Sequence, residues 1–160
     1  MTEDAEPERI EIELFKNHVP KTAENFRQLC NGEKGSSMCY KGSTIHRVVK
    51  DFMMQGGDIE HLNGQGGMSI YGKTFSDESF YVKHKKRGYI SMANQGKDTN
   101  GSQFLIIFKP TKWLDSLHVV FGRVCKNVKL LDKLENIECS GGETPNHPIR
   151  IVNCGEVSKK

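Results

Sequence analysis

The sequence predicts one mainly β domain, a barrel or a sandwich of short strands with two helices packed on it. A chain of 160 residues suits one domain and is too short for two ordinary ones. Only two segments carry a helical period, whereas seven short segments have the alternation or apolar content of strands. The 16 glycines cluster between these segments, where they favour turns. Periodicity leaves the choice between barrel and sandwich open.

The elements follow one another in a simple order. A strand is predicted at 9–15, where apolar and charged residues alternate. A helix is predicted from Pro20 to Asn31, because apolar side chains recur on one face and Asn31-Gly32 is a stop signal. A second helix is predicted at 126–136, where the leucines share a face. The remaining predicted strands are 44–49, 53–57, 89–94, 103–108, 118–124 and 149–157.

Composition excludes several classes of protein. With 36% hydrophobic and 27% charged residues, the chain resembles globular proteins rather than disordered or membrane ones. Its longest apolar run, 104–108, is far too short to span a bilayer, and no apolar segment follows Met1. We therefore expect neither a secretory signal nor a membrane anchor. A cytoplasmic location is favoured, with the nucleus as the alternative.

The net charge and the cysteines further restrict the classes of protein to which the chain can belong. The net charge of +3 is too mild to imply a nucleic-acid protein. The basic cluster at 83–87 is interpreted as a solvated loop, with a nuclear-targeting or acidic-partner patch as the alternative. Five cysteines without a CxxC pair suit a reducing compartment. Unpaired thiols are favoured, and a pairing of Cys30 with Cys154 is the alternative.

The sequence lacks the motifs of several familiar catalytic sites. A phosphate loop fails at 96–98, because Asp follows Gly-Lys, and 64–69 lacks the third glycine of a dinucleotide-binding turn. No histidine has a metal-ligand spacing. Asp, Ser and His occur together at 115–118, but no nucleophile elbow holds the serine, so a chance cluster is favoured over a triad. We therefore expect neither a metal nor a cofactor.

Polar and aromatic residues inside apolar surroundings remain as candidates. His46-Arg47 sits in the middle of a predicted strand, where a charge is costly unless it faces a partner or a groove. None of the candidates is a nucleophile or a strong acid–base pair. Such a set is typical of a surface that binds a peptide through an apolar pocket and amide hydrogen bonds. The further candidates are Gln55, Asn94, Gln103, Trp113, Leu114 and His118.

The string from Tyr40 to Asp58, YKGSTIHRVVKDFMMQGGD, resembles the signature of the cyclophilins, the cyclosporin-binding peptidyl-prolyl cis–trans isomerases. The resemblance extends from about residue 6 to residue 155, and several long strings in the family's order make it specific. The other matching strings are VPKTAENF at 19–26, SMAN at 91–94, TNGSQF at 99–104, WLD at 113–115 and HVVFG at 118–122.

The resemblance implies a closed, or nearly closed, antiparallel eight-stranded β-barrel capped by two α-helices. Residues 1–160 would form this single domain, with 1–8 as a flexible N-terminus. The family carries one more strand before the segment matching 9–15, and here only eight polar residues precede it. The first family strand is therefore expected to be missing. A barrel without it has two open edges, unless residues from elsewhere cover the gap.

The resemblance also implies a reaction without bond cleavage. Rotation about an X–Pro bond meets a barrier of roughly 18–20 kcal/mol from amide resonance. By similarity, Arg47 is the catalytic residue, whose guanidinium donates a hydrogen bond to the prolyl nitrogen in the twisted state. The alternative for Arg47 is a surface arginine in a salt bridge.

The other site residues follow by similarity. Phe52, Met53, Leu105 and Leu114 match the pocket for the proline ring, and ordinary core is their alternative. Leu105 stands where the family usually has phenylalanine, which predicts reduced rather than abolished activity. In the groove, Gln55, Asn94 and Gln103 are expected to hydrogen-bond to the substrate backbone, and Ala93 is expected to line the groove. His118 is expected to pack against the substrate, and Trp113 to favour cyclosporin binding. The alternative for the three amides is that they hydrogen-bond to neighbouring loops. The alternative for His118 is a structural histidine, and that for Trp113 is a core tryptophan.

Two main functions compete. The leading prediction is a monomeric isomerase that acts on proline-containing peptides and folding proteins and is inhibited by cyclosporin A. The alternative is a non-catalytic proline-peptide-binding scaffold module in a larger nuclear or splicing assembly, favoured by Leu105, the missing strand and the basic cluster. Nucleic-acid binding through 83–87 is disfavoured, because only Tyr81 and Tyr89 could stack on bases there.

Overall fold

The computed structural model describes residues 5–158. Its main element is an antiparallel sheet of seven strands, namely β1 (Glu11–Leu14), β2 (Thr44–Val49), β3 (Met53–Gly56), β4 (Tyr89–Met92), β5 (Phe104–Ile107), β6 (Val120–Lys126) and β9 (Ile149–Arg150). Their order across the sheet is β1-β6-β4-β5-β3-β2-β9. Helix α1 is Pro20–Asn31, α2 is Leu130–Glu135, and a 3₁₀ turn covers Lys112–Leu114. A two-stranded hairpin consists of β7 (Cys139–Ser140) and β8 (Thr144–Pro145).

The mainly β fold with two helices is confirmed, and the seven strands of the sheet are those expected from the sequence. Some boundaries differ. Helix α2 is shorter than the predicted 126–136, because β6 runs on to Lys126 and Asn127 adopts a positive φ of 60°. The last strand contains two residues instead of 149–157. Strand β6 begins at Val120, so His118 lies in the loop before it.

The sheet ends at β1 and β9, and residues 5–158 contain no eighth strand that joins these edges. Within residues 5–158, the sheet is therefore a curled half-barrel without a counterpart of the first family strand, as expected, and it is not closed. The edges are protected in ways that discourage pairing with another chain. Strand β9 has only two residues. On β1, Glu11 pairs with Lys126 and Glu13 with Arg123.

The predicted flexible N-terminus, 1–8, lies partly outside the described residues. Residues 5–8 are exposed and have no regular secondary structure. The carboxylate of Glu8 accepts a hydrogen bond from Nζ of Lys133 in α2 at 2.7 Å. One side chain of this segment is therefore tied to the domain.

The two faces of the sheet carry different apolar clusters. On the inner face, Met54 and Ile106 belong to the main core beneath α1. On the outer face, Met53 and Leu105 belong to a smaller buried cluster with Ile107 and Leu114. Successive residues of a strand point to opposite faces, so one apolar run supplies both clusters. The candidate site lies on the outer face.

The β7–β8 hairpin was not predicted from the sequence. Each strand has two residues, which is too short for a hydrophobic period to show. Gly141 and Gly142 form its turn with φ of 60° and 85°, a region that glycine enters without steric cost. The backbone N–H of Val48 donates to the carbonyl of Glu143 at 2.8 Å, which fixes the hairpin against β2.

Candidate active site

Strand pairing aligns the polar and apolar parts of the site. Arg47 on β2 lies opposite Gln55 on β3, and Gln55 lies opposite Leu105 on β5. Met53, two residues before Gln55, lies opposite Ile107. Residues that face one another across antiparallel strands point to the same side of the sheet. The pairing therefore places a guanidinium, an amide and an apolar cluster side by side on the outer face.

The apolar part of the site is closely packed. Met53 is 1% exposed, Leu105 5% and Leu114 8%, and Phe52 and Ala93 pack against them. The rings of Phe52 and Trp113 meet edge to face with centroids 5.7 Å apart. Trp113 is 56% exposed, which excludes the core alternative for this residue. Phe52 and Trp113 thus form an aromatic rim around the buried cluster.

Gln103 is engaged mainly with the protein itself. Its Nε2 donates to the carbonyls of Gly64 and Gly66 at 2.9 and 2.7 Å, and its Oε1 accepts from Nε2 of Gln55 at 2.8 Å. An amide nitrogen has only two N–H donors, so both are used. Among residues 5–158, no group bonds to Oε1 of Gln55. Of the two amides, Gln55 has more capacity left for a peptide.

The loop that holds Gln103 is built on a buried carboxylate. Asp58 accepts backbone N–H bonds from five residues at 2.9–3.2 Å, and these donors are Glu60, His61, Asn63, Gly64 and Gly66. Burial raises the pKa of Asp58, but the backbone hydrogen bonds outweigh it and bring the pKa well below its usual range. The carboxylate is therefore ionised at neutral pH and anchors the 58–66 loop.

His46 supports the same loop from β2. At Gly64, whose φ is 94°, an added Cβ would lie 2.5 Å from Nε2 of His46. Burial lowers the pKa of His46, so the neutral ring is favoured. The conformation and the close contact both favour glycine at this position. His46 therefore packs beneath the loop while its neighbour Arg47 faces outward.

Asn94 and His118 lie together on the other side of the apolar cluster. Nδ1 of His118 is 2.7 Å from the carbonyl oxygen of Met92, which can only accept. The proton thus resides on Nδ1, and Nε2 is an acceptor when the ring is neutral. Nδ2 of Asn94 donates to the carbonyl of Leu117 at 2.8 Å. Within residues 5–158, no hydrogen bond uses the backbone N–H or C=O of Asn94.

A cleft of about 600 Å³ opens beside Asn94 and His118. Phe80 and Leu117 are apolar parts of its lining, and its charged residues are Lys97, Asp77 and Asp98. The cleft continues the outer face beyond the apolar cluster.

Arg47 is in a salt bridge. Its Nε donates to Oε2 of Glu143 at 2.7 Å, and its Nη2 donates to Oε1 at 3.2 Å. The salt bridge that the sequence offered as the alternative for Arg47 is therefore present. Arg47 nevertheless also lies on the outer face, in line with Gln55 and Leu105. The hydrogen bond from Arg47 lowers the pKa of Glu143, so the carboxylate is ionised at neutral pH. Sequence reasoning missed Glu143, because it lies outside every matching string.

The basic cluster at 83–87 is partly structural. His84 is 2% exposed, and both its backbone N–H and its Nδ1–H donate to Oδ1 of Asp115 at 2.8 Å. Arg87 pairs with Asp132 and Glu135 of α2 at 2.6 and 2.9 Å. Asp115 follows the segment that carries Trp113 and Leu114, so its bond to His84 tethers one wall of the site. The aspartate of the 115–118 cluster thus bonds to His84.

Several other features of residues 5–158 bear on the chemistry. This part of the chain has no group of three metal-ligating side chains that could hold an ion. It has no helix with the length and apolar character needed to cross a membrane. All five cysteines are free thiols. The sulfurs of Cys39 and Cys154 lie 3.9 Å apart.

Comparison with known proteins agrees with this geometry. Residues 1–156 match the protein-family model described as cyclophilin type peptidyl-prolyl cis-trans isomerase/CLD. The chain is 51% identical to Peptidyl-prolyl cis-trans isomerase cyp11 of Rhizopus delemar, covering 95% of this chain and 47% of that protein. It is 48% identical to NK-tumor recognition protein of Homo sapiens and of Mus musculus, covering 95% of this chain and 11% of each. The chain thus spans less than half the length of these relatives.

The match covers nearly the whole chain, and most of the outer-face residues, among them Arg47, Met53, Gln55 and Leu114, lie in the strings that carry the resemblance. The sheet, its two helices and the position of Arg47 beside an apolar cluster agree with the same assignment. The chain therefore belongs to the cyclophilin-type peptidyl-prolyl cis–trans isomerase family.

Proposed function

We propose that this chain accelerates rotation about X–Pro bonds in peptides and folding proteins. The observation that carries the proposal is the alignment of Arg47, Gln55 and Leu105 across three paired strands. This alignment puts hydrogen-bond donors next to a cluster that suits an apolar ring. Each ~1.4 kcal/mol removed from the rotational barrier gives about a tenfold increase in rate.

Arg47 is proposed as the catalytic residue. A guanidinium has five N–H donors, and Glu143 engages one on Nε and one on Nη2. The remaining donors can reach a substrate. The lone pair of the prolyl nitrogen becomes a good acceptor only when the amide is twisted, so a hydrogen bond to it favours the transition state over either ground state. A charge-assisted bond of this kind contributes about 1.5–3 kcal/mol.

The substrate contacts are proposed on the same geometry. Phe52, Met53, Leu105 and Leu114 receive the proline ring, with Ala93 beside them. Gln55 and the backbone of Asn94 bond to the peptide on either side of the ring, and His118 packs against it. Gln103 mainly supports Gln55 and the 58–66 loop, since its N–H donors are used internally.

Cyclosporin A is proposed as an inhibitor. The exposed indole of Trp113, packed edge to face on Phe52, offers an apolar surface beside the buried outer-face cluster. An apolar cyclic peptide on this rim would cover the same outer face that a proline peptide uses, so inhibition would be competitive. The protein is proposed to act as a monomer in the cytoplasm or nucleus.

The second candidate is a proline-binding scaffold module without catalysis. One observation favours it, namely that the chain spans 11% of NK-tumor recognition protein and 47% of the fungal relative. A domain of this size in a longer protein could serve to localise a partner. Binding of a proline peptide without acceleration of its isomerisation is the outcome that would support it.

The test is two-dimensional exchange NMR on an X–Pro peptide, which needs no coupled protease. Arg47→Ala is compared with Arg123→Ala, since Arg123 makes a similar Nε bond of 2.7 Å to Glu13 and has comparable exposure, 49% against 42%. We expect wild type and Arg123→Ala to accelerate exchange, and Arg47→Ala and the cyclosporin complex to lose most of it. A folded wild-type protein that binds the peptide without accelerating exchange would refute the catalytic proposal.

A further inference from the structure

Arg47 is held by a carboxylate from a distant part of the chain. Glu143 follows it by 96 positions and accepts its Nε–H at 2.7 Å and an Nη2–H at 3.2 Å. Among residues 5–158, Glu143 is the only side chain that hydrogen-bonds to Arg47. Gln55, the cross-strand neighbour of Arg47, donates to Gln103 instead. The orientation of the guanidinium therefore depends on Glu143.

The hairpin fixes Glu143 in turn. Its carbonyl accepts the N–H of Val48, the residue next to Arg47, at 2.8 Å, and its own N–H donates to Ser140 at 3.4 Å. At the base of the hairpin, the N–H of Asn146 donates to the carbonyl of Glu138 at 2.9 Å. The backbones that carry the two side chains are thus tied together. The carboxylate is presented to the guanidinium from a fixed position.

We infer that Glu143 is a positioning residue for the isomerase reaction, holding the guanidinium of Arg47 so that its unused N–H groups face the prolyl nitrogen. The inference rests on the proposed function. Glu143 takes up the Nε edge of the guanidinium and leaves both N–H groups of Nη1 and one of Nη2. An unpaired arginine would spread over many rotamers, and each productive encounter would then have to restore one of them.

Glu143 also acts against the reaction, because its charge partly cancels the field of the guanidinium. The side chains of Arg47 and Glu143 are 42% and 49% exposed, so water and salt screen this electrostatic effect. Water also competes for the two hydrogen bonds, but as long as they are formed they fix the direction in which the guanidinium donates. Orientation therefore outweighs the loss of positive charge, and removal of the carboxylate slows the reaction.

The test uses Glu143→Gln, which keeps the size of the side chain but removes its charge and one of its two acceptors. Glu13→Gln is the matched control, because Glu13 accepts Nε–H of Arg123 at the same 2.7 Å and is 50% exposed. In the exchange assay, we expect Glu143→Gln to lower kcat about three- to tenfold with KM changed less than about twofold. Glu13→Gln should match wild type.

Two further measurements separate positioning from a purely structural role. In an Arg47→Ala background, Glu143→Gln should have no additional effect on kcat, because its action passes through Arg47. The ¹⁵N relaxation of Arg47 Nε–H should show a more mobile guanidinium in Glu143→Gln than in Glu13→Gln.

Distinct outcomes separate the inference from the function on which it rests. A Glu143→Gln protein as fast as wild type, or faster, overturns the inference alone. So does an equal loss of kcat from Glu143→Gln with and without Arg47. An inactive wild-type protein overturns the proposed function, and the inference falls with it.

Discussion

Replacement of Asp58 by asparagine is expected to destabilise the domain and loosen the loop that supports Gln103. Asp58 is fully buried, and its two oxygens accept two and three backbone N–H bonds. Asparagine keeps the shape of the side chain but has a single acceptor oxygen. In either amide orientation, at least two backbone N–H groups face an NH₂ group instead of an acceptor.

The cost follows from these lost bonds. An orphaned donor costs about 1–3 kcal/mol, and the backbone N–H groups here are part-buried, which favours the lower half of that range. Two of them give about 2–4 kcal/mol, a large fraction of the ~5–15 kcal/mol that stabilises a typical domain. With a urea m-value of about 2 kcal/mol/M, the unfolding midpoint should fall by about 1–2 M.

The assay is urea unfolding followed by far-ultraviolet circular dichroism, with Asp51→Asn as the control. Asp51 is exposed and has a φ of 63°, a conformation that asparagine adopts readily. Asp51→Asn should therefore leave the midpoint unchanged. A shift in Asp58→Asn no larger than in this control would refute the reasoning, since it would mean that the charged oxygens contribute little to the loop.

Three further predictions concern buried side chains. Burial lowers the pKa of His84 and outweighs the opposite effect of its partner Asp115, so the contribution of His84 to stability should be complete above the usual pKa of 6.5 and decline as the pH falls below it. A urea unfolding midpoint that rises on acidification would contradict this. Burial raises the pKa of Cys154 to about 12 and that of Cys30 still further, so a thiol reagent at pH 8 should modify the exposed Cys125 first. Equal rates of modification at the three cysteines would show that burial does not protect Cys30 and Cys154. Leu105→Phe should tighten proline-peptide binding about fivefold, as measured by titration calorimetry, because it restores a ring to the pocket wall. Unchanged or weaker binding, with a lower unfolding midpoint, would show instead that the larger side chain overpacks this buried position.

The main sheet was largely predictable because its signals are local. The apolar runs at 53–57 and 103–108 correspond to β3 and β5, and the limits of α1 coincide with Pro20 and Asn31. The predicted end of the last strand was wrong because the length of a strand depends on its tertiary pairing partner. Residues after Arg150 have the apolar pattern of a strand, but beyond the Ile151 bonds to Gly42 and Ser43 no partner continues the ladder among residues 5–158.

The contacts within the site were less predictable than its members. The sequence placed Gln55 and Gln103 in the groove, but it could not show that one amide uses its donors to hold the 58–66 loop. Catalysis and a salt bridge were treated as alternatives for Arg47, whereas the structure contains the salt bridge within the row of site residues. Trp113 could have been core or surface, and only its 56% exposure decides.

By itself, the sequence determined the family, the seven strands, the two helices and the set of residues on the outer face. Each of these rests on short-range patterns or on strings that match as continuous text. The tertiary structure alone decided that, within residues 5–158, the sheet stays open between β1 and β9, that Asp115 meets His84, and that Glu143 meets Arg47. These contacts join residues far apart in the chain, and no local pattern encodes them, because they depend on how the whole sheet curls and where a glycine turn places one carboxylate.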